Sequence, residues 1–314
     1  MIGFLVRAVA VIVLLLLGLI AAGGLMSLFT PKPPLRGQMV DIGGRSMHLV
    51  CEGPATGSPT VLFESGAFGF SADWAVVQAR LAAKGVRSCA YDRAGLGFSD
   101  PGPGPRDGAA VMADLDALLA AAHVDGPYIY VGHSMAGLYA RIFTARHADE
   151  VAGVVLCDAA TGEVTEAART NQFVTVFARI AKISVVAARV GILKVFSPLA
   201  DTIGLPGSAA AEKRWTFGRV SQNVWAANEV GQWRQTASQA AASAPYSPSL
   251  PVAVVLAGEA AGERGQARGA PARASRSGYF TADSEANHAS LLGEDHAEAI
   301  LKAIEHVMKA AAQR

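Results

Sequence analysis

Five short, almost continuous apolar runs constrain this chain more than any other feature: Thr60–Glu64 (TVLFE), Val86–Tyr91 (VRSCAY), Tyr128–Gly132 (YIYVG), Val151–Cys157 (VAGVVLC) and Val252–Ala257 (VAVVLA). A strand with one wet face alternates apolar and polar residues, whereas a continuous run needs cover on both faces, as in a mostly parallel sheet. Upstream, Gln38–Ile42 and Ser46–Cys51 flank Gly43-Gly44-Arg45 and predict a hairpin. Helical patterns over Trp74–Lys84, Gly108–His123 and Met135–Arg146 separate the runs. Gly278–Asp283 reads as the last strand and Asp295–Ala312 as the closing helix, with Ile300, Ile304 and Val307 at helical spacing. The alternation predicts an α/β fold, an open sheet with helices on both faces. Ligands in such sheets bind at the carboxyl ends of the strands.

The alternation stops after Cys157. Residues 161–251 read as helix broken at Ser197-Pro198, Pro206-Gly207 and Pro245, and they hold Trp215, Trp225 and Trp233, three of the four tryptophans. A helical cap inserted between two sheet strands is the economical reading, leaving 37–160 and 252–314 as the core. Residues 1–36 differ again. Ala8–Phe29 carries no charge, and at about 1.5 Å per residue it matches a hydrocarbon layer of about 30 Å. A retained transmembrane anchor explains why the run continues through Leu25, Met26, Leu28 and Phe29. A cleaved signal would instead use Arg7 as its basic start and Ala21-Ala22-Gly23 as its cleavage site. Arg7 at one end and Lys32 with Arg36 at the other leave the orientation open. The prolines of TPKPPLRG end the helix and form a stiff spacer.

Net charge is +1, and no segment carries a long run of one sign, so a basic face for nucleic acid is not expected. With 51% apolar and 17% charged residues the chain is too apolar for a disordered protein.

The most informative stretch is PYIYVGHSMAGLYARIF. A strand runs into Gly132-His133-Ser134-Met135-Ala136-Gly137 and directly into a helix. A serine on such a turn projects its hydroxyl at the sheet edge with a helix N-terminus behind it, and small neighbours are needed because the turn is crowded. Ala136 stands where the usual G-x-S-x-G pattern has its second glycine. Ser134 is thus the expected nucleophile, and His133, adjacent on the turn, is expected to point away and be structural. Asp92-Arg93 reads as a structural turn.

Taken together, FESGAFGFSADW, CAYDRAGLGFSD, YVGHSMAGLYAR and VAGVVLCDAA, in this order, resemble the α/β-hydrolase superfamily, most of all its capped esterase-like and aminopeptidase-like branch. The resemblance covers about Gly37 to Arg314 except the cap. It implies an eight-stranded sheet, acyl-enzyme chemistry and no cofactor or metal; serine at position 134 speaks against the branches that use aspartate there. A serine hydroxyl needs a base, and the resemblance puts it at His288, in the loop before the closing helix. His48, His123, His147, His296 and His306 are expected to be solvated. The oxyanion donors it implies are the N–H groups of Met135 and Ala67. The acid stays open. Many relatives carry an aspartate after the seventh strand, but this segment, VLAGEAAGERGQARGAPARAS, has none, and offers only Glu259 and Glu263. A minority branch carries its acid at the end of the sixth strand, where Asp158 stands, and Asp158 is preferred.

The expected activity is hydrolysis of a lipophilic ester. Thioesterase, lipase, peptidase and carbon–carbon bond hydrolase activities, or a ligand-binding protein without turnover, remain as alternatives. Of three cysteines, Cys157 is expected to be buried. In the superfamily the strands of Cys51 and Cys89 are neighbours, so a disulfide is within reach. Such a bond would place the domain on the non-cytoplasmic side, where oxidising conditions prevail.

Overall fold

A computed structural model of the chain describes residues 2–55, 59–161, 168–260 and 262–314. The expected strands form one eight-stranded sheet: β1 (Gln38–Asp41), β2 (Ser46–Glu52), β3 (Thr60–Glu64), β4 (Ser88–Tyr91), β5 (Tyr128–His133), β6 (Val151–Cys157), β7 (Val252–Ala257) and β8 (Tyr279–Asp283). Their spatial order is β1-β2-β4-β3-β5-β6-β7-β8, antiparallel at β1–β2 and β2–β4 and parallel from β4 to β8. This is the α/β-hydrolase fold, with both faces of the sheet covered. The β1–β2 turn is closed by Asp41, whose Oδ1 accepts from the N–H groups of Gly43 (2.9 Å) and Gly44 (3.2 Å). Val86 and Arg87 fall outside β4 because the strand begins only where it pairs with β2 and β3.

Helices α2 (Ala75–Ala83), α3 (Gly108–Ala121), α4 (Ala136–Arg146) and α12 (Ala297–Ala311) cover the sheet, which explains its continuous apolar runs: every residue of β3, β4 and β5 is buried. Asp107 caps α3, accepting from Ala110 N–H at 3.0 Å. On α12, Ile300, Leu301, Ile304 and Val307 are buried, and Gly153 of β6 leaves room for Val307, whose Cγ1 would lie 2.2 Å from a Cβ there.

Between β6 and β7 the described residues form helices α5 (Ala168–Arg189), α6 (Ile192–Val195), α7 (Gly207–Phe217), α8 (Val220–Gly231) and α9 (Trp233–Ala242); residues 162–167 of the predicted insertion lie outside them. Two further helices, α10 (Gly262–Arg268) and α11 (Ala270–Ala274), precede β8 and were not visible as periodic pattern. At the other end α1 (Ile2–Phe29) is a single exposed apolar helix, long enough to cross a membrane. Gly23 is its close contact with the rest of the molecule: a Cβ there would lie 2.0 Å from the carbonyl oxygen of Gly191, at the start of α6.

A buried ion network joins the helical insertion to the sheet. Arg93, after β4, donates to both oxygens of Glu229 on α8 (2.9–3.1 Å) and to Glu64 at the end of β3 (2.6 Å). The three side chains are at most 1% exposed. Tyr91 and Tyr130 hydroxyls also donate to Glu64. Nearby, Trp225 of α8 packs against Gly95, where a Cβ would approach within 2.1 Å of the indole.

Cys51 and Cys89 face each other in the β2–β4 register and are disulfide-bonded, while Cys157 is buried and free. The bond closes a loop of 38 residues. Replacing both partners with alanine is expected to lower the unfolding free energy by about 2–4 kcal/mol. Urea titration of the full-length protein in mild detergent checks this; a loss below about 0.5 kcal/mol would mean that the sheet register alone holds these strands.

Candidate active site

The turn between β5 and α4 holds Ser134 in the left-handed region, at φ 57°. A β-carbon is unfavourable there, and the surroundings compensate. Ser134 N–H donates to Cys157 O (3.2 Å), and Ser134 O accepts from Gly137 N–H (3.2 Å) and Ala160 N–H (2.8 Å). Crowding explains the small residues. A Cβ on Gly66 would meet Ser134 Cβ at 2.8 Å, and one on Gly137 would meet Ala160 O at 2.2 Å. Ala136 is accommodated because its partner across the turn is Gly132.

His288, from the loop after β8, brings Nε2 to 2.9 Å from Ser134 Oγ, and its Nδ1 lies 2.5 Å from Asp158 Oδ2. Asp158 follows β6, also at positive φ (42°), with its N–H on Val255 O at 2.7 Å. Its carboxylate is 6% exposed. Burial opposes its ionisation, but the His288 hydrogen bond and the Arg268 guanidinium outweigh that and hold its carboxyl below the usual range. Arg268, near the end of α10, donates to Asp158 Oδ1. Glu259 is exposed, the two His288 ring nitrogens are bonded to Ser134 and Asp158, and the Glu263 side chain lies outside the described residues.

The loop after β3 passes beneath Ser134. Arg93 pins it by donating to Ser65 O (2.6 Å) and Gly66 O (2.8 Å), just before Ala67. Among the described residues, neither the Ala67 nor the Met135 amide N–H is bonded to a backbone carbonyl. Arg93 therefore does more than form a turn. Asp92 does as well: its carboxylate accepts from Ser71 N–H (2.9 Å), Phe98 N–H (2.8 Å) and His48.

Several histidines depart from expectation. His48 is fully buried rather than solvated, because Asp92 (2.8 Å) and the carbonyl of Arg36 accept from its two ring nitrogens. Burial favours the neutral ring, yet Asp92 raises the His48 pKa. His147 pairs with Asp116 (2.8 Å), His296 with Asp283 (2.9 Å), and His306 donates to Ser277 O (3.1 Å); only His123 is exposed without such a bond. Partial burial beside carboxylates was invisible in a pattern that showed only helix ends and loops. His133 does not point away either. Its Nε2 donates to the carbonyl of His288 (2.8 Å), and its ring lies 4.5 Å from the His288 ring.

Burial, then His288, push the His133 pKa down from 6.5 to about 3. The unfolded chain therefore binds one more proton than the folded one between these values. Stability from the neutral ring is full above pH 6.5 and falls by about 1.4 kcal/mol per unit as pH drops towards 3. His133→Asn is expected to flatten the pH dependence of the urea midpoint between about pH 6.5 and 4.5. Identical slopes in the two proteins would contradict a buried neutral ring.

Ser134 and His288 open into a cavity of about 290 Å³, walled by Phe68, Phe173, Phe177 and Trp233 and by the Asp73–Lys213 pair (2.5 Å). Most of its wall is apolar, with Ser134, His288 and the Asp73–Lys213 pair among its polar groups.

Residues 59–179 match the family model of the alpha/beta hydrolase fold. Among solved structures, the enol-lactonase from Burkholderia xenovorans superposes with TM-score 0.59 at 20% identity, covering 87% of this chain and all of that one. A thermophilic esterase from Thermogutta terrifontis gives TM-score 0.64 at 18% identity, over 88% and 99%. Among curated sequences, an uncharacterised Schizosaccharomyces pombe protein is 41% identical over 92 residues, which are 29% of this chain and 17% of that protein. An uncharacterised vacuolar membrane protein of Saccharomyces cerevisiae is 38% identical over 104 residues, 32% of this chain and 16% of its own. The matches thus span about a sixth of the length of these relatives. The family match over residues 59–179, the strand order and the strand-to-helix serine turn together give this chain the α/β-hydrolase fold.

Proposed function

We propose that this chain is a membrane-anchored serine hydrolase that cleaves a lipophilic carboxylic ester through an acyl-enzyme. The single observation that carries the reading is the unbroken relay from Asp158 through His288 to Ser134 Oγ, with both links at hydrogen-bond distance. In the acylation step His288 Nε2 takes the Ser134 proton as Oγ attacks the ester carbonyl, then returns it to the leaving alkoxide. Asp158, held as carboxylate by Arg268, fixes the ring with Nδ1–H towards itself and stabilises its protonated form. The N–H groups of Met135 and Ala67 receive the oxyanion, the second held in place through Arg93. Water then repeats the sequence on the acyl-enzyme.

The cavity walls favour an apolar acyl or alcohol group over a peptide. The esterase and enol-lactonase among the structural neighbours both act on esters by name, which is in keeping with this choice. For the leader, the fit of Gly23 against Gly191 favours a retained anchor, since a cleaved signal has no use for a matched surface on the mature domain. The Cys51–Cys89 bond favours a non-cytoplasmic domain.

Ser134→Ala and His288→Ala should each lower kcat towards short-chain p-nitrophenyl esters by about 10³-fold or more, with unchanged unfolding midpoints. A fluorophosphonate probe should label wild type and leave Ser134→Ala unlabelled. Asp158→Asn should cost far more than Glu259→Gln. Undiminished turnover by Ser134→Ala would sink the proposal, and the reverse order for the two acids would move the third member to the loop after β7.

A further inference from the structure

Helix α5 carries a face that the protein body leaves uncovered. Val174, Ala181 and Ala188 are buried against the molecule, whereas Phe173, Val176, Ile180, Ile183, Val186 and Val190 are 37–65% exposed. These positions recur every three or four residues, so they form one apolar stripe along the helix. Lys182 and Arg189 are exposed at its edge, Arg179 is exposed within it between Val176 and Ile183, and no Asp or Glu occurs from Ala168 to Ala200. A basic helix with an exposed apolar face is suited to lie in the surface of a bilayer containing anionic lipid. It is not suited to cross one. Crossing would strip the packed face from the body and carry Arg179 and Lys182 into hydrocarbon.

Two further observations say what covers this face. The uncharged run of α1 ends at about Phe29, and Gly23, six residues earlier, packs on Gly191, two residues past the end of α5. At 1.5 Å per residue, with the run filling the hydrocarbon, that contact lies about 9 Å below the boundary, within the roughly 5–10 Å at which interfacial helices settle. The anchor therefore brings the end of α5 to the lipid. At the other end of the stripe Phe173 is 58% exposed and also walls the Ser134 cavity, stacked on Phe177 at 5.6 Å. The apolar stripe and the apolar cavity are continuous.

We propose that the exposed face of α5 is embedded in the lipid surface beside α1, and that the Ser134 cavity receives its ester from the bilayer rather than from water. The second half of this statement rests on the hydrolase reading above; the first does not. A water-soluble ester would reach the site without the stripe, whereas an ester dissolved in acyl chains would diffuse along it to Phe173.

Single cysteines introduced as Ile183→Cys and Lys182→Cys can carry an environment-sensitive NBD label, because Cys51 and Cys89 are bonded and Cys157 is buried with its thiol pKa pushed up. The labelled full-length protein is reconstituted into vesicles of phosphatidylcholine with phosphatidylglycerol. The label at 183 should emit to the blue and be quenched by nitroxide on the lipid acyl chain, while the label at 182 should be quenched by aqueous iodide. Iodide quenching of both, or quenching of neither with cross-linking between copies, would overturn the embedding and assign the face to water or to a second copy.

For delivery, Ile180→Glu with Ile183→Glu should leave kcat/KM for soluble p-nitrophenyl acetate unchanged and lower hydrolysis of a long-chain ester presented in the same vesicles by about tenfold or more. Equal rates on the vesicle ester would overturn delivery. If wild type hydrolyses neither ester, the hydrolase reading and the delivery claim that rests on it both fail, and the labels still decide the embedding.

Discussion

The structure turns on one buried cation. Arg93 sits between two carboxylates, Glu64 on the sheet and Glu229 on the helical insertion, and spends its remaining donors on the carbonyls of Ser65 and Gly66. Desolvating three charges is costly, and removing one partner of such a set costs about 3–5 kcal/mol because the others are left uncompensated. Burial, with the Glu229 carboxylate adding to it, holds the Glu64 carboxyl above its usual range, and Arg93 and the Tyr91 hydroxyl work against this. The network thus demands that the loop after β3, the turn after β4 and α8 arrive together. The floor of the cavity is consequently a product of charge satisfaction as much as of sheet geometry. Asp92, one residue away, repeats the device by fixing His48, Ser71 and Phe98.

Local pattern was sufficient wherever one element decided the outcome. Seven of the eight strands read from the sequence stand within about a residue of their places, because a run covered on both faces has little freedom in composition; VRSCAY alone loses two residues at its start. Ser134 was legible because strand, small residues and helix are contiguous there. His288 and the preference for Asp158 came from the resemblance, and the geometry brings His288 to the serine and Asp158 to His288. What could not be read was pairing across the fold. Arg268 lies 110 positions from Asp158 in a segment that looked featureless, and Glu229 lies 136 from Arg93. A single charged residue on a helix looks the same whether it faces solvent or a buried guanidinium. The histidines failed for the same reason: His48 on an apolar strand and His133 on the turn owe their roles to acceptors far along the chain.

The disulfide shows how register converts into chemistry. Cys51 and Cys89 are opposite each other only in the antiparallel pairing of β2 with β4, so a slip of one residue would turn the thiols to opposite faces. The bond therefore records the strand alignment at the one junction where the sheet changes from antiparallel to parallel.

The seating of Trp225 on Gly95 divides the insertion into two parts with different prospects. Together with Gln222, which bonds Gly97 N–H and Phe68 O at 2.8 Å each, it fastens α8 to loops of the sheet domain. Swinging α8 aside would uncover Arg93 and its carboxylates, so opening by that route carries the full cost of exposing and separating the charges. Among the described residues helix α5 makes no hydrogen bond to those loops, and meets them through the Phe177 ring, 6.0 Å from that of Phe68. Evolution of a new acyl preference can proceed by substitution along the exposed face of α5 with little penalty to folding, whereas the same number of changes in α8 would tax the domain as a whole. Variation among descendants of this sequence should accordingly gather on one half of the roof and spare the other.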